Sequence, residues 1–436
     1  MSNDQDANRR RFLQFLAASP LMAAGAGSAF AETLLPKPKL PDPLMWAPLD
    51  AADLIKDPKQ AVNVFDFEPV CRQNVPPAHF AYMASGIDDE VTLRANREGF
   101  LKYQLRPRRL VDVSKVDMKT NILGVTYDTP IFLPPIGGQR SFHADGEVGA
   151  AKAAKVGNHL QILSTATSMG VEDVTAARGQ PIWYQLYATN KWEVAEHMVK
   201  RAEKAGCLAV AVTVDRSGGR NQETLFRLLK TDTRECSNCH DRSSLQASMK
   251  TRAMYQGVDL GGLNNTQSSA MTWDFFKRLR DTTKMKIVIK GILAYEDAVL
   301  AADNGIDAII VSNHGARSED SGRSTIDALP EIVEAVNGRL PILVDSGFRR
   351  GTDMVKALCM GATAVGVGRP YVWGLGAFGQ PGVEKVLELL RAELLAAMQQ
   401  VGAPSIKDLK PAMVRRAQSM IPKSGYRFSE QIMLQK

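Results

Sequence analysis

The amino-acid sequence predicts an α/β protein folded as a closed (β/α)8 TIM barrel, with an N-terminal helical segment and a long loop after the fourth strand. Three observations carry that prediction. Eight short apolar runs rich in β-branched residues recur along the chain, Ala-rich helical stretches separate them, and every run delivers a polar residue or glycine at or near its C-terminal end. An open doubly wound sheet would place a G-x-G-x-x-G loop after its first strand, and none stands there.

The first elements precede that pattern. Arg9, Arg10 and Arg11 open a moderately apolar, Ala- and Gly-rich stretch that is broken by Pro20 and ends at Ala29-Phe30-Ala31. This order resembles a twin-arginine export signal over residues 1–31, which predicts a mature periplasmic protein exported in the folded state. Residues 32–64 read as a proline-rich arm, and 65–100 as amphipathic helices that start a unit running to residue 436.

The eight runs are PIFLPPI (130–136), LQILST (160–165), PIWYQLY (181–187), LAVAVTVD (208–215), KIVIKGI (286–292), AIIVSN (308–313), PILVDSG (341–347) and AVGVGRP (364–370). Helical stretches such as GEVGAAKAAKVGN and GTDMVKALCMG lie between them, and most end in Gly, a suitable helix C-cap. The long interruption is 216–285. With 436 residues, 44% hydrophobic and 23% charged, the chain has ample material for one barrel core. The net charge of +7 is scattered, with no lysine tract or aromatic-interleaved strip, so no nucleic-acid partner is expected. A positive surface instead suits small carboxylates or an acidic redox partner.

In a barrel, the loops after the strands build the active site. Those positions hold Gly137-Gly138, Ser164, Gln185 and Tyr187, Thr213 and Asp215, Lys290, His314 and Arg317, Asp345 to Arg350, and Gly368-Arg369. A lone histidine is more often structural than catalytic, yet polar or glycine groups from all eight runs converge on one rim. The last two loops, DSGFRRG and GRP, supply glycines, amides and the cations Arg349 and Arg369, which suits a phosphorylated ligand. Lys290 either forms a Schiff base or sits as a fixed cation beside a cofactor that gains negative charge.

Together SNHGAR, DSGFRRGTD, VGVGRP, QLY, TVD and YMASGIDDE resemble the FMN-dependent α-hydroxy acid oxidase and dehydrogenase family, from about Phe65 to the C-terminus. The family includes glycolate oxidase, lactate oxidase, flavocytochrome b2 and mandelate dehydrogenase. The resemblance implies that His314 is the base, Asp215 its partner, and Tyr187 a ligand of the substrate hydroxyl. It implies that Arg317 and Tyr82 hold the substrate carboxylate, and that Lys290 stabilises the reduced flavin. Ser164, Gln185 and Thr213 would bond the flavin ring, and Asp345, Arg349, Gly368 and Arg369 the ribityl chain and phosphate. Pro135, Ile136, Gly137, Ser312 and Gly347 complete the implied cofactor set, and no metal is expected.

The sequence also departs from the family. Its second carboxylate-binding arginine follows TVD by seven residues, whereas Arg220 follows Asp215 by five and is the candidate here. Thr165, Ala166 and Thr167 replace a bulky tryptophan, and Gly137 replaces a common alanine, which predicts a wider pocket and a more open flavin face. The interruption contains Cys236-x-x-Cys239-His240, the c-type haem attachment pattern, with Met249, Met254 and Met271 as candidate axial ligands. A Cys236–Cys239 disulfide and half of a zinc site are the other readings. Cys207 and Cys359 read as buried thiols.

The expected activity is FMN-dependent oxidation of an L-2-hydroxy acid, with electrons leaving to a cytochrome or quinone. A peroxide-forming oxidase and a non-catalytic flavin electron-transfer protein are the alternatives. The resemblance implies a homo-oligomer, a tetramer.

Overall fold

The computed structural model describes residues 54–216, 218–232 and 243–417. The export signal, most of the proline-rich arm, and Cys236, Cys239 and His240 lie outside the described residues.

Two short strands pair at the extremes of the described chain, β1 (Tyr103–Leu105) antiparallel to β12 (Val414–Arg416). A hairpin follows, β2 (Thr120–Ile122) and β3 (Val125–Tyr127). Its two-residue turn puts Leu123 at φ +49° and Gly124 at φ +89°, the twist a tight hairpin needs, and Asn121 Oδ1 accepts the Gly124 amide at 3.1 Å.

Eight parallel strands then close a barrel: β4 (Ile131–Leu133), β5 (Leu160–Ser164), β6 (Trp183–Leu186), β7 (Ala209–Thr213), β8 (Lys286–Ile292), β9 (Ala308–Val311), β10 (Ile342–Val344) and β11 (Ala364–Gly366). The circuit is β4-β5-β6-β7-β8-β9-β10-β11, returning from β11 to β4. Each lies inside one of the eight apolar runs, and in seven of them the run extends past the strand into the loop; β8 fills its run. Apolar residues fill the barrel because every strand is covered on both sides. Phe132, Ile162, Trp183, Val288, Ile310 and Leu343 share one core with Ile122 and Tyr127 of the hairpin. The hairpin thus packs where strands begin, leaving the strand ends for chemistry.

The amphipathic stretch 65–100 resolves into helices Phe67–Asn74, Pro77–Ala84 and Val91–Glu98. Glycines past the barrel helices behave as helix stops: Gly206, Gly305 and Gly361 have φ of +86°, +69° and +106°. One case differs. After helix Gly146–Val156, Gly157 has φ −96° and Asn158 takes the left-handed conformation at φ +47°.

Segment 216–285 holds helices Glu223–Thr231, Leu245–Lys250 and Trp273–Thr282. All three lie between β7 and β8, and the last leads directly into β8. Cys207 and Cys359 are buried, with thiols pushed up to about 12 by burial.

The longest helix, Gly368–Val401, breaks at Phe378 and Gly379, where Gly379 takes φ +64°. Its two arms meet glycine to glycine, and a Cβ on Gly382 would lie 2.0 Å from the Gly374 carbonyl oxygen.

Candidate active site

The site starts from a turn that few sequences tolerate. Beyond β9, His314, Gly315 and Ala316 have φ of +60°, +67° and +64°, three successive left-handed residues. For a residue with a Cβ this conformation costs about 1 kcal/mol or more. Two side chains of the same loop and one from the loop after β10 hold it. Ser312 Oγ accepts the His314 amide at 3.0 Å, Ser346 Oγ the Gly315 amide at 3.0 Å, and Asn313 Oδ1 the Ala316 amide at 3.1 Å. Asn313 in turn exchanges two amide hydrogen bonds with Asn96, at 2.9 and 2.8 Å.

The turn aims the imidazole between two partners. His314 Nδ1 lies 2.9 Å from Asp215 Oδ1, and Nε2 lies 3.1 Å from the Tyr187 hydroxyl. Burial pulls the imidazole down to about 4, against the opposing pull of Asp215 and aided by Lys290 and Arg216. The ring is therefore neutral at pH 7. Burial alone would raise Asp215, but His314, Lys290 and Arg216 hold it below the usual carboxylate range. A neutral imidazole backed by a buried carboxylate is a proton acceptor.

Lys290, at the end of β8, donates to Ser312 Oγ at 2.8 Å, and Ser312 donates to Asp345 Oδ1 at 2.6 Å. Burial disfavours its ammonium, but Asp345, 3.4 Å away, and Asp215 raise it, so it stays cationic.

These groups open onto a cavity of about 410 Å³ at the ends of the strands. Of the candidate residues, Tyr82, Pro135, Ile136, Gly137, Ser164, Tyr187, Arg220, Lys290, His314, Arg317, Asp345, Gly347, Arg349, Gly368 and Arg369 line it. Gln185, Thr213 and Ser312 are buried at the ends of their strands, and Gln185 Oε1 accepts from Ser164 Oγ at 3.1 Å.

At one end, the C-terminal carbonyls of helix Pro77–Ala84 organise the cations. Arg317 donates to the carbonyls of Tyr82 and Ser85 and lies over the Tyr82 ring at 4.6 Å. Arg369 donates to Met83, Ala84, Ser85 and Gly315 carbonyls at 3.0–3.3 Å. Orphan carbonyls at a helix end suit cations.

Sequence reasoning missed Arg216. It lies over the Tyr187 ring at 4.6 Å and lines the cavity beside Arg220. Its adjacency to Asp215 at the end of β7 was the available signal.

Beside Arg369, Arg349 is buried over the Trp373 ring at 4.7 Å. Burial, then Arg97 and Arg369, pulls its guanidinium well below the usual arginine range, and burial followed by Arg317 pulls Arg369 down to about 9. Such crowded, desolvated cations call for an anion. Val367 gives helix Gly368–Val401 no side-chain cap, so its first amides add donors at the same place. Gln185 Nε2, Thr213 Oγ1 and Arg349 Nε are buried without a partner among the described residues. Unspent donors beside a cationic pocket fit a flavin ring and its phosphate.

One sequence expectation changes. Gly137 does not open the flavin face in the direction of its missing side chain: a Cβ there would lie 2.6 Å from Ala166 Cβ, which already fills that space. The two small residues replace one another's bulk. Of the candidate axial methionines, Met249 is buried in the wall of this cavity and Met254 is also buried.

Comparison with known proteins agrees with this chemistry. Residues 71–416 match the family described as FMN-dependent dehydrogenase. The chain is 40% identical over 359 residues to a 2-hydroxyacid oxidase of Dictyostelium discoideum, covering 81% of this chain and 90% of that one. It is 40% identical over 350 residues to an L-lactate oxidase of Lysinibacillus sphaericus, covering 79% and 90%. A soluble mutant of the membrane-associated (S)-mandelate dehydrogenase of Pseudomonas putida superposes with a TM-score of 0.74 at 31% identity, covering 82% of this chain and all of that one. The cationic pocket, the unspent donors and the family match converge: the chain belongs to the FMN-dependent dehydrogenases and is an FMN-dependent oxidoreductase.

Proposed function

We propose that the chain oxidises an L-2-hydroxy acid to the 2-oxo acid and passes the electrons to a cytochrome or quinone in the periplasm. One observation carries the reading: a neutral imidazole, His314, bonded to Asp215 and Tyr187, faces a cavity rich in guanidinium groups. Arg317, Arg220 and Tyr82 take the substrate carboxylate, which places the carbinol near His314 Nε2 and the Tyr187 hydroxyl. His314 accepts the proton released as the alcohol carbon is oxidised, and Asp215 stabilises the imidazolium that forms. FMN, held by Ser164, Gln185, Thr213, Arg349 and Arg369, supplies the two-electron acceptor, with the Lys290 cation beside it. The twin-arginine pattern supports export, since such export carries folded, loaded protein.

A second reading, a peroxide-forming oxidase, is favoured by the oxidase names of the two relatives described above. Turnover of lactate, glycolate and mandelate in air and with an artificial acceptor separates the two. Slow peroxide release with fast dye reduction is the expected result, and rapid peroxide formation overturns the dehydrogenase reading. Absence of anaerobic flavin bleaching by every 2-hydroxy acid overturns both. The reduced spectrum from the same experiment shows whether a haem band accompanies the flavin.

A further inference from the structure

A second cavity of about 540 Å³ adjoins the first, and both are walled by Tyr82, Gly137, Ala166, Ser248 and Arg252. Its other walls include Ala78, Leu225 and Leu229 beside the polar His79, Arg140 and Ser168, so it is partly apolar with a second guanidinium on its far wall, and no carboxylate lines it among the described residues. Charge in the adjoining space is out of balance. Six guanidinium groups line the flavin cavity, and its one lining carboxylate, Asp345, is already bound to Lys290. Behind the phosphate end two arginines are paired with carboxylates, Arg97 with Asp353 and Arg350 with Glu393.

An FMN phosphate, with about two negative charges, accounts for Arg349 and Arg369. One substrate carboxylate accounts for Arg317 and Arg220. Arg216 is stacked on Tyr187, which leaves Arg252 on the shared wall, reaching the second cavity. Arg220 is pulled down to about 10 by burial and then by Arg216 and Arg317, crowding that the first carboxylate relieves.

We infer that the substrate is a 2-hydroxy dicarboxylate, whose second carboxylate crosses the shared wall on an apolar spacer and binds Arg252. This rests on the 2-hydroxy acid reading and narrows it. The apolar walls suit methylenes, and the guanidinium suits the terminal anion.

The test pairs L-2-hydroxy dicarboxylates of four to eight carbons with 2-hydroxy monocarboxylates of equal length, using the flavin-loaded full chain and an artificial acceptor. At least one dicarboxylate should exceed its partner by about tenfold or more in kcat/KM, chiefly through KM. In Arg252→Gln that preference ratio should fall by about tenfold, and Arg252→Lys should restore part of it. Equilibrium binding of unreactive glutarate against pentanoate, read from the flavin absorbance, should show the same preference and the same loss. Equal or better monocarboxylates at every length in the wild-type protein overturn the inference while leaving 2-hydroxy acid oxidation standing, and so does a ratio unmoved in Arg252→Gln. If neither series reduces the flavin, the underlying reading falls and the inference with it.

Discussion

His314 is useful because Asp215 opposes what burial does to it. Replacing that carboxylate by an amide keeps a hydrogen-bonding side chain and removes the charge. Asp215→Asn should lower kcat by about 10²-fold or more, with the flavin spectrum retained. The sign of the accompanying pH effect follows from the same interaction. Asp215 raises the proton affinity of the imidazole, so its loss should move the acid limb of kcat/KM to lower pH, not higher. A merely structural role for Asp215 would lower activity without shifting that limb. His159 provides the stability counterpart. It is fully buried, bonded through Nδ1 to Thr129 Oγ1 at 3.0 Å, and pulled by burial from 6.5 to about 4. The unfolded chain then binds a proton in that window which the folded chain does not. Stability should therefore be complete above pH 6.5 and fall as the pH drops towards 4, by about 3 kcal/mol at most for this residue. Urea midpoints at pH 7 and pH 4.5 check this, and His159→Gln should flatten the slope.

Turns and helix arms set where these residues can stand. Gly347 has φ +94°, and a Cβ on it would lie 2.1 Å from the Asn96 carbonyl oxygen. Gly347→Ala should therefore expel Asn96 from its pairing with Asn313, loosening the His314 turn and weakening FMN retention. The glycine contact within helix Gly368–Val401 is remote from the chemistry. Gly382→Ala should lower stability by about 1–3 kcal/mol, seen as a lower urea midpoint at unchanged slope. Much at this scale was legible in the sequence. Eight apolar runs announced eight strands because barrel strands are covered on both sides and read as continuous hydrophobic stretches. Strand ends announced the site because polar tails follow apolar runs. The β2–β3 hairpin was less visible, being only three residues per strand around Leu123-Gly124. The β1–β12 pairing left no local trace, since Tyr103 and Arg416 meet across most of the chain. Asn96 and Ser346 were missed for a related reason: they act on another loop's backbone rather than on a ligand.

At the scale of the whole molecule, loading with FMN should govern stability. A ligand that binds only the folded chain stabilises it by about 2.7 kcal/mol at one hundred times its dissociation constant and about 4.1 at one thousand times. Stripping the flavin should lower the melting temperature by several degrees, and added FMN should restore it in a concentration-dependent way. Added inorganic phosphate should give part of the same protection if the Arg349 and Arg369 pocket is an anion site. Arg369 takes this further. Its guanidinium fastens the end of helix Pro77–Ala84 and the Gly315 carbonyl while lining the cofactor end of the cavity. Whatever steadies that one side chain steadies both the helix end that carries Tyr82 and the loop that carries His314. Cofactor occupancy and substrate grip are therefore tied reciprocally. A half-loaded preparation would lack half its turnovers, and its empty molecules would also be poor sponges for substrate, so a titration by heat would report fewer sites rather than uniformly weaker ones.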